Sequence, residues 1–333
     1  MAEAVSLYSG SLASSIATEL AVNCGDLDRV VILTLRSPFF DGFERIKGIA
    51  ERLWPDSKFR SKSIKKETDR IGAFDGRSAD GSGSYCHQCQ KILLETGRDF
   101  LSQIDADFLV SGEVVGAGGE NPLEIDRELG LEGQVFRPMS AKELPDSLPE
   151  KRSLVFGEKE LTSDRKEEIR DDLEARLGDG ELEFLSAEER CKLTRCRYRN
   201  RLKDLMHEDS FNVNDLNLLD FEGYYKIPPD TKVVLGEGSE GKRELHNYFL
   251  PGDLRFYLPT REGPMALVRS RWKSRPENRF GEIVKLAAKI TAGRGEVGAK
   301  DKVDVNYRFE HENETYSIQV TPLEGDRLKE FRL

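Results

Sequence analysis

An α/β architecture built on a parallel sheet, followed by a smaller α+β domain, is predicted by three features of the chain. Apolar runs without polar alternation, at 5–8, 28–35 and 107–111, have the length and character of strands covered on both faces. Segments of helical periodicity lie between them, at 16–22, 43–53 and 88–104. Beyond residue 186 the pattern changes to short strands separated by Gly and Pro, with one amphipathic helix among them. Strands that alternate with helices give a Rossmann-like parallel sheet, whose ligands sit at the carboxyl ends of the strands.

The first strand runs into Ser9-Gly10-Ser11-Leu12-Ala13-Ser14 and then into a helix. Gly10 lets the backbone approach an anion, and Ser9, Ser11 and Ser14 place hydroxyls beside the N–H groups of the first helical turn, a geometry that receives phosphate. Ser as an ordinary N-cap at the start of an α/β unit explains the same residues without a ligand. Phe43, Ile46, Ile49, Ala50 and Leu53 share one face of the second helix, and 58–70 is charged and ambiguous. Gly112 and Glu113 follow the 107–111 strand and share the strand-end position of the Ser9 turn. Residues 162–177 form a charged surface helix broken by Gly178-Asp179-Gly180, which places the domains at 1–180 and 186–333. In the second domain, strands are expected at 233–235, 254–258, 265–268, 303–309 and 316–320, and a helix at 282–291.

With 333 residues, 38% hydrophobic and 34% charged, the chain can bury two cores. Neither a membrane span nor a secretory signal is expected, and five cysteines, an odd number, point to a reducing, cytoplasmic setting. The net charge of -10 disfavours nucleic acid as a partner, but it is unevenly spread. Through Ser186 there are 24 basic against 36 acidic residues, and beyond it 27 against 25. The second half is where an anionic polymer would land.

Cys86-His87-Gln88-Cys89 opens the long helix, where two thiols can share a metal or redox function, or stand together by chance. The segment from Arg190 to Lys203 holds seven Lys or Arg in fourteen residues and no acid, together with Cys191 and Cys196. Such a run is a solvated face or a phosphate-binding surface. Zinc would need His87 or His207 beside the cysteines, whereas Cys86, Cys89 and Cys191 alone would leave an iron-sulfur cluster with one open iron.

Taken in order, these segments resemble the tRNA-thiolating branch of the PP-loop ATP pyrophosphatases, the 2-thiouridylase-like proteins that carry a C-terminal module related to the RNA-binding NFACT-R domain. The resemblance rests on the Ser9–Ser14 turn with Ser37-Pro38-Phe39-Phe40, and on Cys86-x-x-Cys89 leading to 106–116. It continues through Gly130-Leu131-Glu132-Gly133 with 137–142, and Cys191-Lys192-Leu193-Thr194 with Arg201-Leu202-x-Asp204-Leu205. The C-terminal module is similar through 233–237 and Pro251-Gly252-Asp253-Leu254-Arg255-Phe256-Tyr257. Three departures stand out: Ser11 and Ala13 replace a Gly and an Asp of the SGGxDS signature, 117–119 is shortened, and Glu189-Arg190 replaces a Gly-Gly.

The resemblance implies an adenine nucleotide alpha hydrolase-like first domain and ATP-dependent sulfur insertion into a tRNA base. ATP with Mg²⁺ would be held by Ser9, Gly10, Ser11, Ser14 and Gly112. Cys86, Cys89 and Cys191 would carry the sulfur chemistry, as persulfide or around a [4Fe-4S] cluster, with sulfur from a separate donor. Arg195, Arg197, Arg199, Arg201 and Lys203, with Arg269, Arg271, Lys273 and Arg275, would hold the tRNA backbone. Trp272 and Tyr198 would stack on bases or pack in the core, and Arg137 and Lys142 would steady phosphates or serve as plain surface residues. Asp41 or Glu113 would stand in for the missing carboxylate. The alternatives are a catalytically inactive relative that binds RNA, and a zinc-stabilised interaction module.

Overall fold

The computed structural model describes residues 2–64, 83–115, 122–141, 143–151, 161–178, 180, 182–208, 211–259, 262–274, 276–295, 301–323 and 325–333. The chain divides into two compact units, Met1–Cys196 and Arg197–Leu333.

The first unit runs β1 (Ala2–Leu7), α1 (Leu12–Val22), β2 (Leu27–Arg36), α2 (Phe43–Leu53), β3 (Lys58–Ser63), α3 (Gly83–Ile104), β4 (Phe108–Ser111), α4 (Pro122–Leu129), β5 (Val135–Phe136), α5 (Leu148–Lys151), α6 (Ser163–Leu177) and α7 (Ala187–Arg190). Its five strands form a parallel sheet in the order β3-β2-β1-β4-β5. The chain builds outward from β1 to β3 and then returns to the other side of β1, so the strand order reverses between β1 and β4. There Leu7 stands in register with Ser111, which brings the Ser9 turn and Gly112 to the crevice where such sheets bind ligands.

Local sequence explains the elements around that crevice. The Ser11 side chain caps α1 by accepting from the Ser14 N–H, and Ala17 and Ala21 bring the helix close to Ala4, Phe108 and Val110 of the sheet. Ile46, Ile49, Ala50 and Leu53 of α2 pack with Tyr8 and Trp54, and against Ile169, Leu173 and Leu177 of α6. Those three α6 residues recur every fourth position and give an otherwise charged helix its apolar face. The ambiguous 58–70 segment yields β3, an edge strand pairing with β2, whose alternating charge suits a solvated sheet edge. The remainder, 65–70, and the 116–121 connection lie outside the described residues.

The unit boundary falls at 196/197 and not between 180 and 186. The Leu185 N–H donates to the Gly10 carbonyl at 2.9 Å, the Asp41 N–H to that of Arg190 at 2.9 Å, and the Lys192 N–H to that of Phe39 at 2.9 Å. Main-chain bonds therefore bind the first part of the basic segment into the first unit.

The second unit begins within α8 (Cys196–Met206) and continues through α9 (Val213–Leu218), β6 (Gly223–Ile227), β7 (Thr231–Gly236), α10 (Gly238–His246), β8 (Leu254–Tyr257), β9 (Met265–Arg269), α11 (Glu277–Ala292), β10 (Val303–Phe309), β11 (Tyr316–Val320) and α12 (Gly325–Lys329). Six antiparallel strands are ordered β11-β10-β8-β9-β7-β6. Ile283, Val284, Ala287 and Ala288 of α11 cover Val233, Leu235, Phe256, Val268 and Val305 on one sheet face. Among the described residues no helix is long and apolar enough to cross a membrane.

Candidate nucleotide pocket and basic segment

A cavity of about 270 Å³ opens at the strand reversal of the first unit. Leu7, Tyr8, Ser9, Ser11 and Ser14 line it from β1 and α1, Leu33, Leu35 and Phe40 from β2 and its loop, Leu93 and Leu94 from α3, and Ser111, Gly112 and Glu113 from the end of β4, with Arg190 closing it. Of the five residues expected to hold a nucleotide, four reach this cavity. Gly10 does not line it. Its φ of +81° and the 2.6 Å that would separate a Cβ from Ile46 Cγ1 make glycine a requirement of the turn itself.

The serine hydroxyls form a triangle. Ser9 Oγ lies 3.0 Å from Ser11 Oγ and 3.1 Å from Ser14 Oγ, and the Ser11 and Ser14 oxygens are 3.2 Å apart. Ser14 also donates to the Ser11 carbonyl at 2.9 Å. Hydroxyls rotate, so the same three groups can turn to an anion at the start of α1, where the first-turn N–H groups have no intrahelical acceptor.

Glu113 is the carboxylate among the lining residues, and it is already committed. Its Oε2 accepts from Arg137 Nε at 2.7 Å and its Oε1 from Gln90 Nε2. Arg137 is 3% exposed and clasps Asp126 with two bonds of 2.7 and 2.8 Å. Burial works against its charge, but the two carboxylates outweigh it and raise its pKa. Arg137 thus locks α4 to the end of β4 and is not a surface residue; Lys142 lies outside the described residues. Asp41, the other expected substitute carboxylate, pairs with Lys192 Nζ at 3.4 Å and Arg195 Nη2 at 3.1 Å.

The basic segment is divided between folding and surface. Arg190 donates to the carbonyls of Asp41 and Leu35, both at 2.8 Å, and its guanidinium lies 4.6 Å from the centre of the Phe40 ring. Arg201, expected to contact RNA, is fully buried. It donates to the carbonyls of Leu219 at 2.7 Å, Phe221 at 2.6 Å, Glu222 at 3.3 Å and Leu333 at 3.0 Å, and stands over Tyr224. Four carbonyl oxygens converging from two chain segments are what make burial of that charge possible, and the desolvation pushes its pKa down to about 10. Tyr198 is likewise core, its hydroxyl donating to the Leu216 carbonyl. Arg197 and Lys203 are exposed, and Arg195 and Arg199 are half-buried.

Arg269 is also internal: it is bonded twice to Asp253, and to Asp215 and Asn214. Arg271 and Lys273 are exposed, while Arg275 lies outside the described residues. Trp272 packs edge-on against Phe280 and Phe309, its indole N–H donating to the Gly252 carbonyl.

α3 begins at Gly83, so Cys86 and Cys89 lie on the helix itself. Cys89 is buried, one turn before the pocket residues Leu93 and Leu94 and next to Gln90, which binds Glu113. Cys191 is half-buried beside Arg190 and bridges through its main chain to Phe40, both of which line the cavity. The Cys86 side chain lies outside the described residues. Among the described residues no group of three or more His, Cys, Asp or Glu could hold a metal ion. Among the described residues, then, no set of donors fits an iron-sulfur cluster.

Sequence reasoning missed Arg190, Phe40, Leu93 and Leu94 as parts of the pocket. One signal was available: Ser186 and Glu189 have capping-box spacing and form that box in the structure, fixing a one-turn helix that ends at Arg190.

Residues 224–332, within the second unit, match the family described as the NFACT protein RNA binding domain. No curated protein matches the chain. Among solved structures, the chain is similar to the C-terminal part of the fibronectin/fibrinogen-binding protein from Streptococcus suis, with 12% identity over 64% of this chain and 93% of that one and a TM-score of 0.28. It is also similar to a 4-thiouridine synthetase–RNA complex with bound ATP, with 17% identity, 53% and 52% coverage and a TM-score of 0.30, so that it spans about half of that protein. A third likeness is to NMN synthetase from Francisella tularensis, with 11% identity, 56% and 89% coverage and a TM-score of 0.25.

Proposed function

We propose that the first unit binds ATP at the strand-reversal pocket and that the protein is an ATP-dependent tRNA sulfurtransferase, with the second unit supplying RNA binding. The observation that carries this reading is the coincidence at one crevice of the Ser9–Ser14 turn, Gly112 and the chain neighbours of two thiols, Cys89 and Cys191. The match of 224–332 to an RNA-binding domain supports the substrate class.

In this reading the serine hydroxyls and the α1 N-terminus hold the phosphates of ATP, and the apolar wall of Leu33, Leu35, Leu93 and Leu94 excludes water. A uridine carbonyl oxygen attacks the α-phosphorus and releases pyrophosphate. The adenylate converts a poor leaving group into AMP. The terminal sulfur of a cysteine persulfide, loaded by an external sulfur donor, then attacks the activated carbon and expels AMP. A second cysteine thiolate opens the resulting mixed disulfide, releasing the thiolated base and leaving a cysteine pair that an external thiol reduces. Cys191 and Cys89, with Cys86 three residues before Cys89, are the residues proposed for these steps.

Ala13, the committed Glu113 and the buried Cys89 favour a second reading, a catalytically silent RNA-binding protein of the same fold. Incubation of the full chain with ATP, a persulfide donor and tRNA separates the two. The sulfurtransferase forms AMP and thiolated nucleoside only when tRNA is present, and Cys191→Ala abolishes the thiolated product. Tight tRNA binding with no AMP from any tRNA leaves the silent reading standing.

A further inference from the structure

We propose that Arg190 is the counter-charge for the phosphates of the nucleotide, and that ATP binds this pocket without a divalent cation. The proposal rests on the nucleotide reading above and assigns the ionic partner that reading leaves open.

Among the described residues lining the cavity, the ionisable acid and base that matter are Glu113 and Arg190. A hard divalent cation that arrives on nucleotide phosphates is fixed to a protein by one or two carboxylate oxygens. Glu113 is already spent on both oxygens, Oε2 accepting from Arg137, which is itself buried and shared with Asp126, and Oε1 from Gln90. Asp41, on the loop that Arg190 grips, is held by Lys192 and Arg195. The acids near the cavity are thus neutralised by cations of the protein.

Arg190 is in the opposite condition. Its two side-chain hydrogen bonds go to neutral main-chain carbonyls, and among the described residues it forms no ion pair. Burial depresses its pKa to about 10, outweighing the opposing pull of the nearby Cys191 and Asp41 side chains, neither of which it bonds. A half-buried guanidinium that lacks an anion costs free energy which a phosphate oxygen would offset. Three of its five N–H groups remain for such a contact, and its position is set: α7 ends at Arg190 and starts from the Ser186–Glu189 capping box, with Phe40 beneath the guanidinium plane. The hydroxyl triangle and the start of α1 face the same cavity. Positive charge that a metal would bring is already built into the wall.

The test is calorimetric titration of the full chain with ATP, in magnesium and again with EDTA, for wild type, Arg190→Gln and Arg190→Lys, with thermal melts of each. The expected result is a wild-type affinity that changes by less than roughly threefold on chelation. Arg190→Gln should bind about ten- to a hundredfold more weakly in both buffers, with Arg190→Lys in between because it keeps the charge and loses the fork. ATP binding that requires magnesium overturns the proposal while leaving the nucleotide reading intact, and so does wild-type affinity in a folded Arg190→Gln chain. Should Arg190→Gln fail to fold, the EDTA arm on the wild-type chain decides alone. Absence of ATP binding in every buffer overturns the nucleotide reading together with the proposal.

Discussion

A Cβ placed on Gly112 would stand 2.5 Å from the main-chain nitrogen of Ser14, so the end of β4 and the first turn of α1 meet at a separation that only glycine permits. The contact joins the two strand ends on either side of the sheet's reversal and fixes the mouth of the cavity. Gly112→Ala must push α1 away from β4 at a cost of about 1–3 kcal/mol. The expected outcome is a lower urea midpoint and loss of ATP binding in the same variant, read by chemical denaturation and titration. A variant with unchanged midpoint and unchanged ATP affinity would show that this contact does not shape the pocket.

Arg201 and Lys203 lie two residues apart in a basic run, yet they predict opposite phenotypes. Arg201→Met strips donors from four carbonyls and should destabilise the second unit by at least about 3 kcal/mol, with any loss of RNA binding following from unfolding. The double variant Arg197→Ala, Lys203→Ala removes exposed cations and should leave stability within about 0.5 kcal/mol of wild type. It should weaken RNA binding evenly across sequences and lower the slope of log affinity against log salt by about two. Filter binding over a salt series, beside thermal melts, checks both.

Asp126 and Glu113 share one buried guanidinium, so they are not equivalent to removable surface acids. Asp126→Ala leaves Arg137 with a single partially exposed carboxylate and should cost about 3–5 kcal/mol. Replacing Asp126 and Arg137 together by apolar residues should cost much less than the single change. Denaturation midpoints of the two variants test this.

Glu189 ties the position of Arg190 to pH. Its carboxylate accepts from the Ser186 main-chain N–H and from Arg45, which hold its pKa below the ordinary glutamate value. A depressed acid stabilises the fold above its ordinary pKa, and that stabilisation is lost as pH falls through the folded-state value. The gap in urea midpoint between wild type and Glu189→Gln should therefore be present at neutral pH and close in acid. A gap that persists at low pH would assign the effect to packing.

Much of the scaffold was legible in local pattern. The helix expected at 43–53 is α2 to the residue, because its apolar positions recur at the helical period over its whole length. The strands expected at 303–309 and 316–320 are β10 and β11 to the residue. Ser9, Ser11, Ser14 and Gly112 could be placed at strand ends, and the parallel topology then brought those ends together. β3 was ambiguous because an edge strand buries little and shows little period. The reach of the first unit to residue 196 was hidden for another reason: it depends on main-chain hydrogen bonds that join Leu185 to Gly10, Arg190 to Asp41 and Lys192 to Phe39 across long stretches of sequence, and main-chain groups leave no trace in composition.

The amino-acid order by itself determined the alternation of elements, the serine turn at a helix start and the shift in charge toward the second half. All of these depend on neighbours within a few residues. Tertiary structure alone decided which cations serve the fold and which remain for a ligand. Arg137 found two carboxylates, Arg201 found four carbonyls, and Arg190 was left in a cavity wall with neutral acceptors. A guanidinium is long enough to be solvated by protein or by water, and the choice depends on which distant oxygens the folded backbone brings within 3 Å of it, a quantity no stretch of adjacent residues encodes.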